Sequence, residues 1–158
     1  MRFTVNGAPQ PAGSKRGFVS KTGRVIITDD AKNSRPWKAL VADAAAQAMG
    51  DGADLYHGPL RVFIEFYFVR PKSHFGTGRN AMKLKPSAPR WPAVKPDVDK
   101  LSRAVMDACT GIVWRDDAQV VQKVVEKRYA SWSRAEVTVE MATDLGLFPI
   151  EKLDSRRI

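Results

Sequence analysis

The ten residues from Leu60 to Val69, LRVFIEFYFV, constrain the fold more than any other stretch. Strand alternation puts Val62, Ile64, Phe66 and Phe68 on one face and Phe63 and Tyr67 on the other. A strand with bulk on both faces has to be covered on both, so a central position in a sheet is expected. Residues 2–7 alternate polar and apolar like a half-buried strand, and Pro9 and Pro11 end it. Short β-like pieces are expected at 17–20 and 24–28, the second with three β-branched residues in a row, Val25, Ile26 and Ile27.

Two helices are legible. The first takes Thr28 or Asp29 as N-cap, with acids in its first turn and Pro36 near its start. Its apolar face is Trp37, Leu40, Val41, Ala44, Ala45 and Ala48, and Gly50 and Gly52 end it. The second begins around Asp99, carries Leu101, Ala104, Val105, Ala108 and Ile112 at steps of three and four, and stops at Gly111. Residues 119–125 and 134–141 read as strands, the latter with Ala135, Val137, Val139 and Met141 on one face. The order predicts an α+β domain with a mixed β-sheet and two main helices packed on it. Residues 1–142 are assigned to that domain and 143–158 to a peripheral C-terminal tail.

Composition narrows the chemistry. Among 158 residues, 26 Lys and Arg against 17 Asp and Glu give a net charge of +9, which favours polyanionic partners. Cys109 is the sole cysteine, and His57 and His74 are the only histidines. An intrachain disulfide and a Cys/His zinc cluster are therefore excluded, and a reducing cytoplasm is the expected setting. No run approaches the ~18 apolar residues of a membrane span, and the first residues lack the apolar core of a signal peptide. Chemistry on this chain falls to carboxylates, hydroxyls and cations.

The densest constellation is Lys95-Pro96-Asp97-Val98-Asp99-Lys100-Leu101, followed 17 to 20 residues on by Asp116 and Asp117. In a helix, residues i and i+2 point about 200° apart; in an extended segment they share a side. Pro96 and the capping preference of Asp99 keep this stretch out of a helix interior, so Asp97 and Asp99 are expected to converge just before the helix. If the strand from Gln119 pairs near the helix start, Asp116 or Asp117 closes on them. Such carboxylates repel unless a cation joins them, and an all-oxygen set suits Mg²⁺ or Mn²⁺. Such an ion activates water and neutralises charge on a phosphodiester. Lys95, Lys100 and Arg103 are placed to hold the phosphate. The bland alternative is an N-cap with a solvated acid, followed by an Asp-Asp turn.

These same residues resemble the RusA family of Holliday junction resolvases. The likeness runs through Pro96-Asp97-Val98-Asp99-Lys100-Leu101-Ser102-Arg103, the mid-helix Asp107-Ala108, and Trp114-Arg115-Asp116-Asp117-Ala118-Gln119-Val120. A looser likeness extends from Phe3 to Met141. The resemblance implies a homodimeric, Mg²⁺-dependent endonuclease, with Mn²⁺ as a substitute, that resolves four-way DNA junctions by paired symmetric nicks. Its expected setting is a bacterial or phage-infected host cytoplasm. It also implies Asp97, Asp99 and Asp117 as metal-binding catalytic acids, with Asp116 secondary. The family's catalytic lysine falls at Arg103 and its asparagine at Lys100, so that lysine's role stays open between the two. Asp107, in ion-pair register with Arg103, is expected to orient it.

The nucleic-acid contacts expected are Lys15, Arg16, Lys72, Arg79, Lys83, Lys85, Arg90 and Lys95. The last six belong to a stretch from Arg70 to Lys95 with seven cations, four prolines and no acid. Phe75 and Trp91 sit among them as candidates for stacking on bases, or for packing on the domain. Cys109 is expected to be an inert packed thiol and Trp114 to anchor its turn in the core. Two other readings remain: a non-catalytic nucleic-acid-binding module on the same scaffold, and a metal-dependent nuclease for other branched DNA or RNA. No Ser-His-acid set supports a serine hydrolase.

Overall fold

A computed structural model describes residues 1–13, 15–29 and 33–142, with the side chains of 15–18 and 26–29 outside the description. The tail expected at 143–158 lies outside the described residues. The elements are β1 (Arg2–Asn6), β2 (Lys15–Val19), β3 (Val25–Asp29), α1 (Ser34–Met49), β4 (Leu60–Val69), α2 (Val98–Cys109), β5 (Val120–Ala130) and β6 (Arg134–Met141). One sheet has the order β1-β6-β4-β5, and β2 and β3 form a separate hairpin. β4 is central, antiparallel to β6 and parallel to β5. This is the mixed-sheet α+β arrangement that the pattern predicts.

The core follows from the alternation. Val62, Ile64 and Phe66 of β4, Ala135, Val137 and Val139 of β6, and Phe3 and Val5 of β1 are buried together. Trp37, Val41 and Ala45 of α1 and Leu101, Ala104 and Val105 of α2 complete that cluster, so both helices cover one face of the sheet. The opposite face is closed differently. Arg134 lies over the Tyr67 ring at 3.7 Å, and Glu136 accepts hydrogen bonds from Arg134 and Arg2. Bulk on both faces of β4 thus signals a central strand, with a cation–aromatic and ion-paired layer in place of a second layer of helices.

Several boundaries depart from expectation. Thr28 and Asp29 belong to β3, because the β-branched run prolongs the strand. α1 starts at Ser34 behind Asn33 and has no acid in its first turn. Its buried stripe is narrower than predicted, since Leu40 and Ala48 are exposed. α2 starts one residue before Asp99, with Asp97 as its N-cap residue, and ends at Cys109. Ile112 lies beyond it, packed on the core. Gly111, at φ +80°, turns the chain so that its N–H meets the Trp114 carbonyl at 2.7 Å. β5 runs on to Ala130, five residues past the predicted end, where Arg128 pairs with Glu126 and Glu65.

The basic stretch after β4 is built, not slack. Phe75 bridges Leu84, the Gly76 N–H donates to the Lys83 carbonyl, and the Lys85 N–H donates to the His74 carbonyl. A Cβ on Gly76 would lie 2.7 Å from the Asn80 carbonyl oxygen, so only glycine fits there. From this loop the chain enters α2 and returns as β5, parallel to β4. That is a strand–crossover–strand unit, and α2 runs antiparallel to both strands.

Cys109 is fully buried, and burial followed by the charge of Asp117 pushes its thiol up to about 12. Burial, with Glu65 and Glu136, likewise pushes the Tyr67 hydroxyl up to about 12. Both groups hold their protons more tightly folded than unfolded. Their contribution to stability is therefore intact below the ordinary thiol value of 9.0 and is lost as pH rises toward about 12. Urea midpoints should fall across that window, and less so in a Cys109→Ala, Tyr67→Phe variant. A thiol reagent should label Cys109 only on unfolding.

Candidate active site

The chain places two acids at the start of α2. Asp97 holds extended backbone angles (φ −67°, ψ 139°), and its carbonyl accepts the Leu101 N–H at 3.1 Å. Its carboxylate makes no capping bond and stands 4.0 Å from Lys100 Nζ. Asp99 sits in the first turn, where its Oδ2 accepts a 3.0 Å bond from Arg103 Nη2, four residues on. Both carboxylates are more than half exposed, so these ion pairs add little stability. Acids here also suit the positive end of the helix dipole, which is the structural reason for them.

The turn that carries them is braced from two other elements. Lys127 of β5 donates from Nζ to the Val94 carbonyl at 2.5 Å and to the Pro96 carbonyl at 3.0 Å. Lys123, on the same face of β5, donates to the Ser102 hydroxyl at 3.1 Å, which donates in turn to the Asp99 carbonyl at 2.9 Å. Ser102 is almost wholly buried, so this link is shielded from water. From the N-terminal segment, the Ala12 N–H donates to the Lys100 carbonyl at 2.8 Å. The peptide on each side of Asp97 and Asp99 is thus tied down while their carboxylates face solvent.

Asp117 occupies the other end of α2. Its Oδ1 accepts from the Thr110 hydroxyl at 2.6 Å and from the Trp114 indole N–H at 2.8 Å. Thr110 is the C-cap residue of α2. Trp114 is fully buried, as its anchoring role requires, and Asp117 satisfies its N–H. Asp116 starts a short 3₁₀ turn: its Oδ1 accepts the Ala118 N–H at 2.8 Å, while Gln119 Oε1 accepts the Asp116 N–H at 3.2 Å. Gln119 Nε2 also donates to the Tyr56 and Gly58 carbonyls, fixing this turn to the segment before β4.

The two acidic pairs therefore do not meet within one chain. The 12 residues of α2 rise about 18 Å between them, several times the reach of two carboxylates around one ion. The expectation that the returning strand brings Asp116 or Asp117 to Asp97 is corrected: β5 begins beside the end of α2, not beside its start. Among the described residues, no group of three His, Cys, Asp or Glu side chains is gathered for a metal. Asp97 is the N-cap residue and Asp99 already lies in the first turn of α2, so the extended pair expected just before the helix is corrected as well; one or two exposed carboxylates plus a substrate phosphate are the usual ligands of a hydrated Mg²⁺. Asp107 is also corrected. It pairs with Lys38 of α1 at 2.5 Å, while Arg103 pairs with Asp99.

The basic loop lies over the same end of the sheet as Asp97. Arg70 donates to the Pro89 carbonyl and covers the Tyr129 ring at 4.1 Å, so it holds the loop. Lys85 reaches the Ser73 carbonyl from Nζ. Lys72, Arg79, Lys83, Arg90 and Lys95 are exposed, and Arg90 lies 5.4 Å from the half-exposed Trp91 ring. Lys15 and Arg16 fall in β2, and their side chains lie outside the described residues. Phe75 is partly buried. Sequence reasoning misses Lys123, Lys127, Thr110 and Gln119. Only the two lysines leave a signal, as four-residue spacing on one face of a strand.

Asp117→Asn should keep an acceptor for Trp114 and Thr110 and leave the thermal midpoint nearly unchanged. Asp117→Ala strands an indole N–H beside the core and should cost about 1–2 kcal/mol, read as several degrees in a thermal melt.

Two comparisons with known proteins bear on these residues. Residues 8–140 match the family model of the RusA endodeoxyribonucleases. An uncharacterised protein of Bacillus subtilis (strain 168), YqaN, is 34% identical over 139 residues, covering 88% of this chain and 94% of its own. The family match runs from before β2 to within one residue of the end of β6 and contains both acidic pairs and the bracing lysines. The chain belongs to the RusA family of endodeoxyribonucleases.

Proposed function

We propose that the chain is a Mg²⁺-dependent endonuclease, with Mn²⁺ as a substitute, that acts as a homodimer on branched DNA. It resolves four-way junctions by paired symmetric nicks. Its setting would be a bacterial or phage-infected host cytoplasm. The observation that carries this reading is the pair of outward-facing carboxylates, Asp97 and Asp99, on a turn braced by Lys123, Lys127 and Ala12. Family membership makes it a nuclease reading.

In this reading Asp97 and Asp99 hold the cation, which supplies an activated water and charge neutralisation at the phosphodiester. Lys100 and Arg103 sit beside these acids, so each restrains one carboxylate and offers a positive charge to a phosphate. Arg103 offers the phosphate a planar fork of donors, and Lys100 a compact ammonium; the family lysine's role is open between the two. Lys127 keeps the Pro96 carbonyl, and with it the peptide entering Asp97, in one orientation. The exposed cations of the basic loop track the phosphates of an arm that reaches this end of the sheet.

A synthetic four-way junction with Mg²⁺ should be nicked by the wild-type chain and not by Asp97→Asn. Absence of nicking, or nicking that Asp97→Asn leaves intact, contradicts the reading. In the first case, junction binding without cleavage marks the protein as a binding module. Lys127→Met should lower nicking about 10- to 100-fold while junction affinity changes little. Removing Lys72, Arg79 or Lys83 should weaken binding on all sequences and flatten the log–log salt slope by about 1 each, in a filter-binding or anisotropy titration.

A further inference from the structure

The short span that joins the basic loop to the turn before α2 stands off the sheet, and both of its ends are pinned. Arg70 donates to the Pro89 carbonyl at 2.7 Å, and Lys127 donates to the Val94 carbonyl at 2.5 Å. Between them the Ala93 N–H donates to the Trp91 carbonyl at 2.9 Å, and Pro92 fixes a further backbone angle. Beside the edge strand β5 this span leaves an open groove of about 320 Å³, lined by Trp91, Pro92, Ala93, Glu126 and Lys127. Pro92 and Lys127 also line a smaller cavity of about 150 Å³, with Phe68 and Tyr129. The space is held open by fixed groups.

Its chemistry suits a flat aromatic guest. Trp91 is 50% exposed although its ring is among the largest apolar surfaces a side chain can bury. Lys127 commits its ammonium to the Val94 and Pro96 carbonyls, which leaves its alkyl stem for the groove. Arg128 takes Glu126 Oε2 with two nitrogens, at 2.9 and 2.5 Å, so Oε1 is the atom left to accept from a guest. Arg90, 5.4 Å from the Trp91 ring centroid, and the exposed Lys95 supply cations at the rim. An aromatic wall, an apolar lining, one acceptor and cations at the rim match a nucleotide, with its base inside and its phosphates outside. Lys127 also sets the place: the nitrogen beside the groove holds the carbonyl that precedes Asp97.

We propose that this groove receives one unstacked base of the strand cut at Asp97 and Asp99, stacked on Trp91 with its amino edge toward Glu126. This rests on the nuclease reading above and adds to it a base-reading site at one nucleotide beside the cut. A base leaves the stack most easily at a branch point, where pairing already ends. A carboxylate acceptor favours adenine, cytosine and guanine, which carry an exocyclic amino group, over thymine, which carries none.

Abasic substitution tests the groove without metal. Junctions lacking one base at a time around the nick are titrated by anisotropy in the absence of Mg²⁺. Removal at one position should weaken wild-type binding about 10-fold, the size of one base–aromatic stack. Trp91→Ala should weaken binding of the intact junction by a similar factor and should not distinguish it from that abasic junction, because the base and the ring form one interaction. Trp91→Phe, which keeps a flat ring, should recover most of the loss. Effects of base and ring that multiply, or no position at which removal weakens binding, overturn the proposal. If the wild-type chain still nicks the junction with Mg²⁺, the nuclease reading stands without it; a wild-type chain that nicks no junction ends both. Thymine at the responsive position should bind about 10-fold more weakly than cytosine to the wild-type chain, and equally to Glu126→Gln, whose amide both donates and accepts. Equal wild-type binding of thymine and cytosine overturns the amino-edge assignment.

Discussion

The connection from β4 through the basic loop and α2 to β5 decides where everything else lies. Because β4 and β5 are parallel neighbours, the chain has to cross back over the sheet between them. α2 makes that crossing antiparallel to both strands. The turn that enters α2 is therefore delivered to the C-terminal ends of the strands, and the turn that leaves it to the opposite rim. Open sheets with parallel strands tend to bind ligands at the C-terminal ends of those strands, and here that rim carries Asp97, Asp99, Lys127 and the basic loop.

Two lysines brace that rim. Lys127 holds two carbonyls of the loop with one ammonium, and Lys123 reaches the opposite side of the same turn through Ser102. Both direct their charge at the backbone and its neighbouring hydroxyl, while Arg103 and the exposed loop cations Lys72, Arg79, Lys83, Arg90 and Lys95 present theirs on the outer surface. Ion pairs at Asp97 and Asp99 are exposed and weak as stabilisers. Their value lies in setting the carboxylates' surroundings.

Much of this arrangement is legible from residue types. Bulk on both faces of residues 60–69 places β4 in the middle of the sheet, and the three- and four-residue steps from Leu101 to Ala108 locate α2. The acidic spacing marks both ends of that helix. Spacing carries no direction, however. Asp97 and Asp117 are 20 residues apart whether the next strand starts beside the head of the helix or beside its tail, and only the parallel pairing of β5 with β4 decides. The partner of Asp107 escapes the sequence for a similar reason. Lys38 comes from another helix, and tertiary packing outweighs the local register with Arg103. The start of α1 is displaced because the β-branched run at Val25 to Ile27 prolongs a strand into the apparent cap.

The nuclease reading proposed above requires a cation at the start of α2. A crystal soaked with Mn²⁺ and measured for anomalous scattering tests this most directly. The expected result is a peak at the carboxylates of Asp97 and Asp99. A peak at Asp117 alone, or none while the crystal retains Mn²⁺ elsewhere, contradicts it.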